Sequence, residues 1–210
     1  MDNGSANATQ VECAKLLAEV KDQLKRGLRV CFWSGHSQGK YAGSAWYADH
    51  HFEELEENCV AHVNIDSVGG MNAVVVEEAP VIPSTHKLAA EAVETVCGVK
   101  FVGKKIARNS DQSFLGIGIP SVFGTFSEQD VNATKDAITF KSGSTSRAGG
   151  LGWWWHTEHD TLDKLDPALL ERDCKVYLYT LLRLTADNAL PLCLKDIVRD
   201  MEQTVSHLQQ

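Results

Sequence analysis

Apolar positions recur every three or four residues over 6–26, where Cys13, Leu17, Val20 and Leu24 share one face between charged neighbours, and that period predicts a helix. A short run of β-formers, 29–33, follows and stops at Ser34-Gly35. The helical period returns over 43–57 through Ala45, Ala48, Phe52 and Leu55. Residues 60–65 read as a second strand, ended by Asp66-Ser67-Val68-Gly69-Gly70, and 73–76 as a third. Leu88, Ala92, Val93 and Val96 mark a helix starting near Ser84, and 121–126 is a strand opened by Pro120. The last part is helical, with Leu170, Cys174, Leu178 and Leu181 on one face. After a break at Pro191 the stripe Leu194, Val198, Met201, Val205, Leu208 predicts a second amphipathic helix.

Alternation of strand and helix predicts an α/β fold, a three-layer α/β/α arrangement around a mixed, mostly parallel sheet. Nothing repeats and no linker intervenes, so 1–210 is expected to be one domain. The exception to its regularity is a long segment, 128–155. It is rich in Gly and Ser around Ser142-Gly143-Ser144 and Gly149-Gly150, and it ends in Trp153-Trp154-Trp155. Loops of that length inside a domain are commonly functional. Three consecutive tryptophans cannot all face one core, so at least one is expected to line a pocket or an interface, with packing under the loop the alternative.

Composition narrows the class. The chain of 210 residues is 43% hydrophobic, with 20 basic against 28 acidic residues and a net charge of −8. That balance argues against a nucleic-acid-binding surface, which needs a concentrated positive field. No apolar run is long enough to span a bilayer, and the polar start Met1-Asp2-Asn3-Gly4-Ser5 lacks the parts of a signal peptide. A cytoplasmic location without membrane contact is the expectation. Cys13, Cys31, Cys59, Cys97, Cys174 and Cys193 contain no CxxC pair; they read as buried thiols in a reducing compartment, and their spacing leaves no Cys-rich zinc site.

Ligands of open α/β sheets bind beyond the carboxyl ends of the strands. The polar residues there are Ser34-Gly35-His36-Ser37-Gln38-Gly39 after the first strand, Asp66 after the second, and His156-Thr157-Glu158-His159-Asp160-Thr161 after the tryptophans. Asp2 precedes the first helix, and Ser110-Asp111-Gln112 another short one. Imidazole and carboxylate gathered at one sheet edge suit zinc. On spacing alone the plainer readings stay open: Asp66 as a turn former, Asp160 and Ser110 as caps, His36 as a solvated loop residue, and His50, His51 and His62 without a special role.

These same segments resemble the M28 family of zinc aminopeptidases and carboxypeptidases. Asp2-Asn3-Gly4-Ser5-Ala6 resembles the family's Asp-(Asp/Asn)-Gly-Ser-Gly helix start, and Asn64-Ile65-Asp66-Ser67-Val68-Gly69 its Asn-x-Asp-x-x-Gly strand end. Residues 29–35 followed by Gly43-Ser44 are similar to its strand and Gly-Ser helix start. Ser110-Asp111-Gln112-Ser113-Phe114 with Gly118-Ile119-Pro120 resembles its Ser-Asp-His-x-x-Phe and Gly-Ile-Pro elements, and 156–161 its His-Thr-x-x-Asp-Thr. The order and spacing match over nearly the whole chain.

The resemblance implies a two-zinc hydrolase that cleaves a peptide or other amide bond. It puts Asp2 on the carboxylate bridging the metals, Asp66 on a carboxylate ligand and His156 on an imidazole ligand; in such a hydrolase the run Trp153, Trp154 and Trp155 is expected on the substrate side of the pocket. Two departures bear on activity. The family's Glu-Glu pair, proton shuttle then ligand, is replaced by His36-Ser37. His36 is then either a zinc ligand or the general base, not both, because a metal-bound imidazole nitrogen cannot accept the proton. The family's other metal-binding histidine and its first strands lie upstream of Asp2, so the resemblance implies an N-terminally incomplete catalytic domain. Its exposed sheet edge would pair with the missing segment or in a homo-oligomer. Loss of the acidic pair also admits a catalytically silent domain kept for binding or assembly.

Overall fold

The computed structural model describes residues 1–106, 113–133 and 151–209. Helix α1 (Gly4–Glu19) opens the chain; α2 (Ala42–His50) and α3 (Phe52–Asn58) follow, then α4 (His86–Cys97), α5 (Pro167–Ala186) and α6 (Leu194–Leu208). The strands are short: β1 (His62–Val63), β2 (Pro80–Val81), β3 (Lys104–Lys105) and β4 (Ser121–Val122). β1 pairs with β4 and β2 with β3, both parallel, in the registers His62 to Ser121 and Pro80 to Lys104. Isolated antiparallel bridges join Gly70 to Leu165 and Val75 to Glu128. Helices with short, mostly parallel pairs are the α/β class that the alternation predicts.

The expected helix over 43–57 is two helices, because the backbone turns aside at His51 (φ −119°, ψ 24°). The expected strand over 29–33 joins no ladder among the described residues, and 73–76 contributes one bridge at Val75. α5 starts where Asp166 accepts from the N–H groups of Ala168 and Leu169 with Pro167 at the first helical position, which satisfies orphan donors of the first turn. α4 stops at Gly98, whose φ of +68° is open to glycine at little cost.

The core lies where α1, α4 and α5 meet the strands. Leu88, Ala92 and Val93 of α4 pack with Val176, Tyr177 and Leu184 of α5 and with Val122, Phe123 and Phe126. The rings of Phe123, Phe126 and Tyr177 meet edge to face, with centroids 5.2–5.8 Å apart, the arrangement aromatic quadrupoles favour. α5 therefore buries Val176, Tyr177, Thr180, Leu181 and Leu184, a face rotated from the 170/174/178/181 stripe read from the sequence, and Leu170, Cys174 and Leu178 sit at its margin. The thiols need a correction too: Cys13 is buried, and the other five cysteines are half-buried. Along α6 the predicted stripe is real but exposed, from Val205 at 53% to Leu208 at 79%. Among the described residues no helix is long and apolar enough to cross a membrane.

Candidate functional site

Three segments far apart in sequence meet at one end of the parallel pairs. The first is residues 1–3, leading into α1. The second, 65–71, leaves β1. The third, 151–166, leads into α5. Main-chain bonds clamp the last two together, from Met71 N–H to the Lys164 carbonyl and from Asp166 N–H to the Gly69 carbonyl, both 2.9 Å.

At this junction Nε2 of His156 lies 2.9 Å from Oδ2 of Asp2. The hydroxyl of Ser67 lies 3.1 Å from Oδ1 of Asp66 and 3.4 Å from Oδ1 of Asp2, so it links the two carboxylates. Asn3 Oδ1 accepts from the Ser67 N–H at 3.2 Å, which ties the start of α1 to the strand end. Ser67 and His156 both have left-handed backbone, with φ of +48° and +60°. Non-glycine residues hold that conformation at about 1–2 kcal/mol, and such strain gathers at functional sites. The ring of His156 stacks on Trp155 at 3.6 Å and 20°.

The junction opens on a groove of about 1590 Å³, lined by Asp2, His36, Asp66, Trp155 and His156 and walled by 28–33 and 60–65. His36 packs its ring on Tyr41 at 5.0 Å. Of the three tryptophans, Trp155 lines the groove. Trp154 is 5% exposed and packs with Met1 and Leu151, and Trp153 packs on His159 at 5.3 Å. Trp153 and Trp154, expected on the same wall, are not among the residues lining this groove. Ser110, Asp111 and Gln112, and the Gly/Ser stretch from 134 to 150, lie outside the described residues.

Two donors approach the spacing that ligands of one metal would take. Zinc holds His nitrogen and carboxylate oxygen at roughly 2.0–2.2 Å, which sets tetrahedral ligand atoms about 3.4 Å apart. The Asp2–His156 pair, at 2.9 Å, needs to open by only about half an ångström to reach that separation. Asp66 stands one hydroxyl away, and among the described residues no three His, Cys, Asp or Glu converge as they stand.

Two groups escaped the sequence reading. Asp160, taken there as a cap, has its oxygens on the main-chain nitrogens of Met1 (2.5 Å) and Asp2 (2.8 Å). Asp173, fully buried on α5, accepts from the Gly69 N–H at 2.9 Å, the Ser127 hydroxyl at 2.5 Å and the Arg172 guanidinium at 2.7 Å. Burial pushes its carboxyl up, and Arg172, Ser127 and the Gly69 N–H pull it back. Asp173 falls three and four residues before Val176 and Tyr177 on the deep face, where the helical period calls only for an apolar residue.

The sequence model described as Peptidase family M28 matches residues 1–181. Among solved structures the fold is similar to an aminopeptidase from Aneurinibacillus sp. strain AM-1, with a TM-score of 0.67 and 21% identity over 90% of this chain and 40% of that one. The chain thus spans well under half the length of that aminopeptidase. A glutaminyl cyclase from an Acidobacteriales bacterium (17% identity, 71% of this chain, 47% of that chain, TM-score 0.48) matches more loosely. So does a zinc aminopeptidase from Bacillus subtilis (18%, 71%, 34%, 0.47). No curated protein matches the sequence.

Proposed function

This chain belongs to peptidase family M28, and from that premise we propose that the protein is a metal-dependent hydrolase cleaving a peptide or other amide bond of a small substrate. The observation that carries the reading is the meeting of Asp2 with His156 beside Asp66 at the mouth of the groove. Asp2, Asp66 and His156 would hold zinc, two ions in the full site. Zinc held there would polarise the scissile carbonyl and activate a water at neutral pH.

This chain's own residues do the rest. Ser67 and Asn3 hold the two carboxylate segments in register, and Trp155 braces the His156 ring while presenting an aromatic wall to the substrate. His36 stands where the family carries a glutamate. It acts either as the base that takes the water proton and returns it to the leaving amine or as a further ligand. Residues 28–33 and 60–65 line the groove that would receive the substrate.

The replacement of Glu-Glu by His36-Ser37 favours a second reading, a catalytically silent domain kept for binding or assembly. One experiment separates them. The full-length protein is stripped with a chelator, reloaded with zinc, and assayed on a panel of chromogenic aminoacyl amides. Hydrolysis that disappears on stripping and returns with zinc supports the hydrolase. Zinc uptake with no hydrolysis supports the silent domain, and hydrolysis indifferent to the chelator overturns the metal-dependent reading.

A further inference from the structure

The loop carrying His156 grips residue 2 at two points. His156 Nε2 meets the Asp2 side chain at 2.9 Å, and four residues on, Asp160 Oδ2 accepts from the Asp2 N–H at 2.8 Å. The other oxygen of Asp160 takes the neighbouring nitrogen of Met1 at 2.5 Å. The carboxylate is 9% exposed, and these bonds reach across 158 and 159 residues of sequence to another segment instead of closing its own turn.

The frame behind Asp160 is tied by main-chain bonds. Its loop is closed by Asp160 N–H to the Thr157 carbonyl at 3.2 Å and Thr161 N–H to the His159 carbonyl at 2.9 Å. It is also fastened to 69–71 through Lys164 and Asp166. That second fastening connects it to the strand end bearing Asp66. With the Asp2 nitrogen fixed to this frame, the Asp2 carboxylate is left to turn about two side-chain bonds, and Ser67 and His156 select where it points.

We infer that Asp160 is a positioning residue that sets Asp2 against His156 by holding its main chain. The inference extends the metal-site reading above. It does not require that zinc be present for the Asp2–His156 contact itself to depend on Asp160. Removing Asp160 leaves the first-contact donors in place but lets residue 2 drift from the frame that carries the other two. Outer partners of metal ligands typically account for about 10- to 100-fold in metal affinity.

The test uses the full-length protein with Asp160→Asn, Asp160→Ala and, as a control in the same loop, the 69%-exposed Asp163→Asn. Zinc affinity is measured by competition with a chromogenic chelator, and metal-free thermal stability is measured alongside. Asp160→Asn preserves shape and one acceptor, so it keeps the fold if Asp160→Ala does not. The expected result is zinc affinity about 10- to 100-fold weaker in Asp160→Asn, with thermal stability and the Asp163→Asn control close to wild type. Unchanged affinity in Asp160→Asn overturns the inference and leaves the metal reading standing. If wild type takes up no zinc, the metal reading fails, and the metal-free crystal structure of Asp160→Asn decides the inference. An Asp2–His156 pair parted beyond hydrogen-bond range supports it, and a pair still at 2.9 Å overturns it.

Discussion

Gly69→Ala tests whether the Asp66 strand end is held by contact with α5. Gly69 has φ +71°, and a Cβ built there would lie 2.5 Å from the Cβ and 2.7 Å from the Cα of Leu170. A left-handed alanine costs about 1–2 kcal/mol. The clash is with helix backbone as well as a side chain, so it cannot be relieved by a rotamer change, and overpacking of that kind adds roughly 1–3 kcal/mol. The total is about 2–5 kcal/mol. Gly98→Ala is the matched control, because φ there is +68° and none of the described residues comes within 4 Å of the added carbon. It carries the backbone term alone, about 1–2 kcal/mol. Urea unfolding of both variants should place the Gly69→Ala midpoint lower by roughly 1 M at unchanged m. The Gly69 N–H also donates to Asp173, and its carbonyl accepts from Asp166, so the variant should weaken zinc binding while Gly98→Ala does not. Equal losses in the two variants would refute the close approach of the 66–70 loop to α5.

Three further outcomes follow from the same geometry. His36→Ala lowers kcat by about 10²–10⁴ with zinc retained if His36 is the base, and lowers zinc affinity if it is a ligand; zinc titration beside steady-state kinetics tells them apart, and no change in either quantity excludes both roles. Trp155→Ala raises KM by roughly 2- to 12-fold, from the ~0.5–1.5 kcal/mol of an aromatic contact, whereas Trp153→Ala, outside the groove wall, leaves KM alone; equal effects would contradict the placement of the two rings. Cys174 alkylates ahead of Cys31, Cys59 and Cys97: the hydrogen bond from Cys13 pulls its thiol down, while burial pushes those three up. A lowered pKa means more thiolate at a given pH, so iodoacetamide mapping near pH 8 should find Cys174 labelled ahead of those three and should lose that order in Cys13→Ala.

What the sequence made legible was local. Each long helix declared itself by period, and α5 and α4 by their ends, Asp166-Pro167 and Gly98. Asp2, Asp66 and His156 could be picked out because each stands at the end of an element and in a recognisable motif. The residues that hold them could not. Asp160 acts on a nitrogen 158 residues away, and Asp173 sits on a helix face where an apolar residue would serve the period equally well. The 29–33 segment has strand composition but joins no ladder among the described residues, because a strand is defined by its neighbour and composition does not supply one. The tryptophans divide for a related reason. Consecutive side chains in a turn diverge, so one of the run reaches the groove while its neighbour is buried.

Zinc-edge anomalous diffraction from crystals of the full-length protein soaked in zinc tests the central claim most directly. The account predicts a peak between Oδ2 of Asp2 and Nε2 of His156, with those atoms spread to about 3.4 Å and Asp66 turned toward the metal. No peak at saturating zinc, with the pair still in direct contact at 2.9 Å and Asp66 pointing away, would contradict it.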